Sequence, residues 1–132
     1  MAFNQAKIDA DVADFFVDIL DRIIQSHLII SRAGGSTIAE LTVLGYPSIL
    51  VPYSHALDDH QTANAEVLVK AGAAQMIQES CLTVTLLSRM IHDLLTNPLQ
   101  LQTMAHAAKH IGHPNAVYHL AQLVTMEANK FK

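Results

Sequence analysis

The sequence predicts an α/β fold in which a short parallel sheet is flanked by helices. Three short apolar runs are typical of buried strands, and they fall at residues 28–31, 48–51 and 74–77. Each run is followed by turn residues and then by a segment of helical periodicity. Strands that alternate with helices in this way form βαβ units with right-handed crossovers, so we expect the strands to be parallel.

Helices are predicted where apolar residues recur every three or four positions. The first such segment runs from Val12 to Ile24, is interspersed with acids, and predicts an amphipathic helix. The other predicted helices are one from Ser36 or Thr37 to Leu44, one from about His60 to Ala71 capped by Asp58 or Asp59, one capped by Thr83 that runs to Leu95, one that starts at Asn97-Pro98 and ends before Gly112, and one over Ala116–Ala128.

The length of 132 residues predicts one domain that can bury a real core. We assign residues 12–128 to this lobe and residues 129–132 to a tail. Residues 1–11 form a lead-in that is either disordered or the remnant of an upstream region. Because 51% of the residues are apolar and only 5% aromatic, the core is expected to be mainly aliphatic.

Composition also excludes several classes of function. The net charge of −4 and the lack of a Lys/Arg cluster argue against a nucleic-acid partner. The sequence has no apolar run near 18 residues and no signal-peptide pattern, so neither a membrane span nor secretion is indicated. The single cysteine, Cys81, fits a reducing compartment, and we expect a cytoplasmic protein.

A glycine-rich turn between the first strand and the next helix is the strongest candidate site. Its residues are Arg32-Ala33-Gly34-Gly35-Ser36-Thr37. Glycines let a ligand approach the backbone, and the open N–H groups and positive dipole end of a helix favour phosphate. The pattern is neither a Walker A loop nor the dinucleotide motif GxGxxG, so a turn that only reverses the chain is the alternative.

Polar residues around this turn suggest recognition of a sugar. Glu40, one helical turn further on, could accept hydrogen bonds from two vicinal hydroxyls, as on a ribose, or be an ordinary exposed glutamate. Gln61 and Asn64 share one helix face after the second strand, and their amides suit neutral hydroxyl recognition. Because ligands bind outside the carboxyl ends of parallel strands, both loops should face one crevice.

Metal binding and catalysis are less well supported by the sequence. A metal site built from His55, Asp58 and His60 is an alternative, although such short-range clusters are more often helix caps and solvated loops. No histidine is placed against a partner acid near the glycine turn, and no basic residue adjoins Cys81 to activate it. We therefore assign no catalytic residue, no metal and no cofactor.

Three motifs taken together resemble the C-terminal lobe of the MurG family of UDP-N-acetylglucosamine transferases, and the resemblance runs from about Val12 to Val124. In chain order they are Leu28-Ile-Ile-Ser-Arg-Ala-Gly-Gly-Ser-Thr-Ile-Ala-Glu-Leu41, Gly45-Tyr-Pro-Ser-Ile-Leu-Val-Pro52 and Asp58-Asp-His-Gln-Thr-Ala-Asn-Ala65, with Lys70-Ala-Gly-Ala-Ala74 continuing the match. The family makes lipid II for peptidoglycan at the cytoplasmic face of the inner membrane. Its two Rossmann-like lobes form a GT-B fold, so the resemblance implies a partial Rossmann-like lobe.

The resemblance implies a role for each candidate residue. Arg32–Thr37 would lie against the diphosphate and sugar of UDP-N-acetylglucosamine, and Glu40 would hold the ribose hydroxyls. His60 and Gln61 would contact the N-acetylglucosamine, with Asn64 near them. The implied reaction is inverting transfer by direct displacement at the anomeric carbon, without a bound metal.

Parts of the family pattern are missing from this sequence. The N-terminal lobe, with its acceptor site, membrane-docking surface and general base, is not represented, nor is the first part of the C-terminal lobe. We therefore expect an exposed sheet edge, covered by self-association or by a partner subunit. Three readings follow: a donor-binding part that is inactive alone, a truncated domain that acts only by association, and the donor-binding subunit of a split transferase.

Overall fold

The computed structural model describes residues 2–55 and 57–129 of the chain and has the α/β architecture that the sequence predicts. A tight turn over Leu57–Asp59, with left-handed backbone at Asp58 and Asp59, lies in the loop after the second strand, and a single-turn 3-10 helix, Glu79–Cys81, follows the third. The regular elements in chain order are α1 (Ala2–Gln5), α2 (Ile19–Gln25), β1 (Ile29–Ser31), α3 (Gly35–Leu44), β2 (Ser48–Leu50), α4 (His60–Lys70), β3 (Ala74–Met76), α5 (Val84–Leu95), α6 (Pro98–Ile111) and α7 (Ala116–Asn129).

The three strands form a parallel sheet in the order β1-β2-β3, which confirms the predicted direction of the strands. At its centre Ile30 lies opposite Ile49, which in turn lies opposite Gln75. A helix follows β1 and another follows β2, and each brings the chain back to the end of the sheet where the strands begin. The loops that follow the three strands therefore lie together at the opposite end, beyond the carboxyl ends of the strands.

The central strand β2 is buried on both faces, as strands of parallel sheets usually are. Successive residues of β2 point to opposite faces, and both Leu50 and Ile49 are fully buried. Leu50 belongs to a core packed with α3 and α4, whose buried members also include Leu41 and Leu68. Ile49 belongs to a second core, which is completed from α5 and α6 by Leu94 and Met104.

A close approach between α3 and α6 depends on two glycines. Gly45 ends α3 with a φ of 75°, a left-handed conformation that glycine adopts without strain. Gly112 follows α6, and a Cβ built there would lie 2.5 Å from the carbonyl oxygen of Thr42. The two helices can therefore pack at this distance because Gly112 has no side chain.

The predicted side-chain caps are confirmed for α5 and α6 and wrong for α4, although α4 begins at His60 as predicted. The Thr83 hydroxyl accepts a hydrogen bond from the Leu86 N–H at 3.1 Å, and the Asn97 side chain accepts one from the Gln100 N–H at 3.1 Å, with Pro98 starting α6. Asp59 precedes α4, but its φ of 52° and the φ of 59° at Asp58 are left-handed. A side-chain cap needs extended backbone at that position, and neither carboxylate makes one.

The predicted helix from Val12 to Ile24 is wrong over its first half. Only α2 is helical, and residues 12–18 form no regular element. The exposed fractions of Phe15 and Val17 are 79% and 92%, so these side chains have no surface to pack against. A short amphipathic helix is not stable in water without such packing. Arg22 of α2 contacts this non-helical segment, because it forms an ion pair with Asp18 and its guanidinium stacks on the Phe16 ring.

The chain ends are described only in part. Residues 2–5 of the predicted lead-in form the single turn α1, and residues 130–132 of the predicted tail lie outside the described residues. Within residues 2–55 and 57–129, no helix is both long enough and apolar enough to cross a membrane.

Candidate functional site

The predicted glycine turn lies at the carboxyl end of β1 and opens directly into α3. The helix begins at Gly35, slightly earlier than predicted, and Gly34 precedes it with extended backbone and no side-chain cap. The first turn closes with the Ile38 N–H donating to the Gly34 carbonyl at 3.0 Å. In the described part of the chain, the N–H groups of residues 35–37 find no acceptor. They are therefore open donors at the positive end of the helix dipole.

Space is open in front of these donors. Apart from its chain neighbours and the backbone of its own helix, no described residue lies within 4 Å of a Cβ built on Gly35. The nearest atom to one built on Gly34, its chain neighbours aside, is the Thr37 hydroxyl at 4.0 Å. The backbone angles at Gly34 are also ordinary ones, with a φ of −64°. Neither glycine is therefore required by the fold around it, in contrast to Gly112.

Gln61 joins the loops that follow β1 and β2. Its side-chain oxygen accepts hydrogen bonds from the Ala33 N–H at 3.2 Å and from the Tyr53 N–H at 2.9 Å. On the same face of α4, the Asn64 amide donates to the Ala33 carbonyl at 3.0 Å. The two amides thus fix the backbone of the glycine turn.

Each of these amides keeps one polar group that faces no protein partner among the described residues: the NH₂ of Gln61 and the oxygen of Asn64. The two side chains therefore retain the N–H donors of Gln61 and the oxygen acceptor of Asn64 for a ligand. The fold has brought them to the glycine turn, as the sequence analysis expected of the two loops.

Arg32 turns toward the loop after β2. One of its terminal nitrogens donates to the Val51 and Pro52 carbonyls at 3.3 and 3.4 Å, and the other lies 2.6 Å from a carboxylate oxygen of Glu79. The guanidinium carbon is 5.5 Å from the centre of the Tyr53 ring. The charge of Arg32 thus stays half-exposed beside the glycine turn, held by three contacts.

The structure adds Glu79 and Ser54 to the site, which the sequence analysis missed. The second carboxylate oxygen of Glu79 accepts hydrogen bonds from the Ser54 hydroxyl at 2.6 Å and from the Ser54 N–H at 3.2 Å. The hydrogen bonds from Ser54 and then from Arg32 lower the pKa of Glu79 from 4.5 to about 2. Glu79 follows β3, so the rule that placed the first two loops together could have found it.

Glu40 and His60 stand apart from this hydrogen-bond network. Glu40 is exposed on α3 and, with Thr37, lines a cleft of about 320 Å³ between α3, α2 and β1. His60 is exposed at the start of α4, and its Nε2 lies 3.9 Å from a carboxylate oxygen of Asp58. Neither side chain forms a hydrogen bond or an ion pair with the glycine turn.

The alternative metal site gains no support from the geometry. Among residues 2–55 and 57–129, no group of three His, Cys, Asp or Glu side chains converges so that it could hold a metal ion. The ring of His55 faces the Ser54 hydroxyl, with its Nδ1 3.0 Å away. Cys81 is exposed and free.

Comparison with known families decides what kind of lobe this is. The glycosyltransferase family 28 C-terminal domain matches residues 1–122. The chain belongs to this family. The predicted family resemblance is therefore confirmed, and the candidate site just described lies in a family 28 C-terminal domain.

Relatives and a solved structure give the same assignment. The family 28 domain is 44% identical over 127 residues to the UDP-N-acetylglucosamine–N-acetylmuramyl-(pentapeptide) pyrophosphoryl-undecaprenol N-acetylglucosamine transferase of Phenylobacterium zucineum, which covers 96% of the chain and 35% of the relative. The transferase of that name from Paramagnetospirillum magneticum is 45% identical over 123 residues, covering 93% of the chain and 33% of the relative. The crystal structure of Acinetobacter baumannii MurG matches with a TM-score of 0.83 and 36% identity, over 92% of this chain and 35% of that one.

These matches confirm the fold class as a C-terminal lobe of the GT-B type, with a short parallel sheet flanked by helices. The family 28 domain spans about a third of the length of the curated relatives it matches.

Proposed function

We propose that this chain is the UDP-N-acetylglucosamine-binding part of an inverting glycosyltransferase that forms lipid II. The observation that carries the proposal is the first turn of α3, whose backbone donors have no acceptor among the described residues while Gln61 and Asn64 hold the turn in place. A braced row of N–H groups at a helix start suits a diphosphate, because the donors need not be reorganised when the anion arrives.

The proposed contacts are those that the family resemblance implies. Arg32–Thr37 bind the diphosphate and the adjoining sugar through backbone N–H groups and the Arg32 charge. The Glu40 carboxylate accepts hydrogen bonds from the ribose hydroxyls, and the exposure of Glu40 beside an open cleft supports this role. His60, with Gln61 and Asn64, contacts the N-acetylglucosamine.

The proposed chemistry is displacement of UDP from the anomeric carbon by an acceptor hydroxyl on the opposite face of the sugar. The new glycosidic bond forms as the bond to the diphosphate oxygen breaks, and negative charge collects on the departing UDP. We assign the stabilisation of that charge to the start of α3 and to Arg32. The acceptor site and the general base belong to the N-terminal lobe of the relatives, so we expect the chain to be inactive alone and the complete enzyme to work at the cytoplasmic membrane face.

A heteronuclear NMR titration of the 132-residue chain with UDP-N-acetylglucosamine, and with UDP alone, tests this proposal. We expect shifts concentrated at residues 34–40 with both ligands, and additional shifts at residues 60–64 that require the sugar. Glu40→Ala should weaken binding of both ligands. The matched control is Glu66→Ala, which removes an exposed carboxylate whose partner is Lys70 on the same helix.

A second candidate function is association without ligand binding, and the exposed apolar side chains of α7 favour it. The exposed fractions of Val117, Tyr118 and Leu120 are 83%, 63% and 62%. A well-dispersed spectrum that ignores both ligands would contradict the donor-site proposal and leave this candidate. In a split transferase, by contrast, the ligand shifts would be present and activity would require a second chain.

A further inference from the structure

Glu79 connects the three loops at the carboxyl ends of the strands. It lies after β3, and its two carboxylate oxygens are divided between the other loops. One oxygen receives Arg32, from the loop after β1, at 2.6 Å, and the other receives the hydroxyl and N–H of Ser54, from the loop after β2. Among the described residues, no other side chain in the loop after β3 hydrogen-bonds to both the loop after β1 and the loop after β2.

We infer that Glu79 is a positioning residue that holds Arg32 and the loop 51–55 in place for the diphosphate of the donor. The inference rests on the function proposed above, because it names the residue that prepares the site for its anion. Glu79 itself, being negatively charged, is not expected to touch the diphosphate.

The hydrogen bonds of Arg32 show how the positioning works. A guanidinium has five N–H donors, and here three are taken by the Val51 carbonyl, the Pro52 carbonyl and Glu79. Among the described residues the other two donors have no acceptor, so they remain for a ligand. With its plane fixed by three contacts, the Arg32 fork does not have to be ordered when the anion binds.

The contacts with Ser54 extend the effect to the second loop. The Ser54 hydroxyl has one hydrogen, and it is used in the hydrogen bond to Glu79. In the 3.0 Å hydrogen bond between that hydroxyl and Nδ1 of His55, the donor is therefore the ring N–H. Glu79 is partly buried, with 29% of its side chain exposed, and its pKa of about 2 keeps it charged at neutral pH. One carboxylate thus orders two exposed side chains and a stretch of loop.

The first test needs no ligand. In the ¹⁵N-labelled chain, we expect the Arg32 Nη2–H that bonds to Glu79 and the Ser54 amide to give sharp, slowly exchanging signals, and Glu79→Ala to make both exchange rapidly. Glu66→Ala is the matched control and should change neither signal. Equally protected signals in Glu79→Ala would overturn the inference.

The second test links the positioning to the anion. We expect Glu79→Ala to raise the Kd for UDP about three- to ten-fold, the cost of ordering one long side chain on binding. In an Arg32→Ala background the same change should have little effect. Tighter UDP binding by Glu79→Ala in both backgrounds would mean that the carboxylate only repels the anion, and it would overturn the inference.

A melting temperature for each variant separates positioning from a general loss of stability. We expect Glu79→Ala to stay folded at the titration temperature, and Glu79→Gln, which keeps an acceptor but no charge, to give an intermediate Kd. Failure of UDP to bind to the unchanged chain would contradict the proposed function. The Arg32 and Ser54 signals would still decide whether Glu79 fixes the two loops.

Discussion

At the scale of single residues, the site is held by side chains that bond to backbone or to each other across loops. Gln61 accepts two N–H groups with one oxygen, and Glu79 accepts hydrogen bonds from both Arg32 and Ser54. Removal of a shared acceptor leaves several donors unpaired, which costs more than the loss of one hydrogen bond. Two predictions belong to this scale.

The first prediction concerns Gln61. Gln61→Leu should lower the free energy of unfolding by about 1–3 kcal/mol, because the N–H groups of Ala33 and Tyr53 lose their acceptor. Gln61→Glu keeps an oxygen acceptor at that position and should lose less of the free energy of unfolding. Urea unfolding followed by circular dichroism measures both. Equal losses in the two variants would mean that the shared oxygen is unimportant.

The second prediction concerns acid and Glu79. The pKa of its carboxyl falls from 4.5 to about 2 on folding, so the folded protein binds the proton less tightly than the unfolded chain. Glu79 therefore stabilises the fold above pH 4.5, and this contribution is lost as the pH falls toward 2. Glu79→Gln should melt at a lower temperature than the unchanged chain at pH 7, and the difference should shrink as the pH is lowered from 4.5. A difference that does not vary with pH would contradict this account, and Glu66→Gln is the control.

At the scale of elements, Gly112 after α6 and Gly35 at the start of α3 differ in what an added side chain would meet. Gly112 allows close packing, since a Cβ there would lie 2.5 Å from the Thr42 carbonyl oxygen. A Cβ on Gly35, by contrast, would enter the open space in front of α3. The same substitution at the two positions should therefore separate stability from binding.

We predict that Gly112→Ala lowers the free energy of unfolding by about 1–3 kcal/mol, because α6 and α3 must move apart. Gly35→Ala should leave stability unchanged or slightly raised, and should weaken binding of UDP-N-acetylglucosamine by crowding the diphosphate. Chemical unfolding and the NMR titration measure the two effects. Wild-type affinity in Gly35→Ala would count against a ligand at the start of α3.

Rules that use only neighbouring residues predicted most helices and strands correctly. They failed where contacts between distant residues determine the structure. Thr83 and Asn97 cap their helices as predicted, because a cap depends on neighbours three residues away. Residues 12–18 carry a helical pattern but lack a surface to pack on, which periodicity cannot show. Asp58 has left-handed backbone, which a cap rule does not anticipate. Within the site, the two loops were predicted to meet, but the pairing of Arg32 with Glu79 spans 47 positions and leaves no local signal.

At the scale of the whole molecule, the sheet has an open edge at β1. The Ile29 N–H donates to the Pro47 carbonyl at 3.1 Å, and the Ser31 carbonyl accepts from the Val51 N–H at 2.9 Å. Because backbone groups alternate in direction along a strand, the N–H and carbonyl of Ile30 point away from β2. No described strand pairs with that side, and the exposed fraction of the Ile30 side chain is 43%.

We predict that this edge drives concentration-dependent self-association of the isolated chain, as exposed strand edges do. Sedimentation velocity should show Ile30→Lys to be more monomeric than the unchanged chain at the same concentration. Val117→Lys, on the exposed face of α7, distinguishes association through the helix from association through the sheet. A monomeric unchanged chain at high concentration would contradict the prediction.

The Gln61 side-chain oxygen accepts hydrogen bonds from both Ala33 and Tyr53, and this matters for attempts to re-engineer the sugar preference of such lobes. Under the proposed function, a new side chain at position 61 would alter the sugar contact and also remove the acceptor that holds the glycine turn, so we expect selections there to return unstable variants. His60 is exposed, and its nearest charged neighbour is Asp58 at 3.9 Å. A library aimed at new donor sugars should therefore vary residue 60 and keep residue 61 fixed.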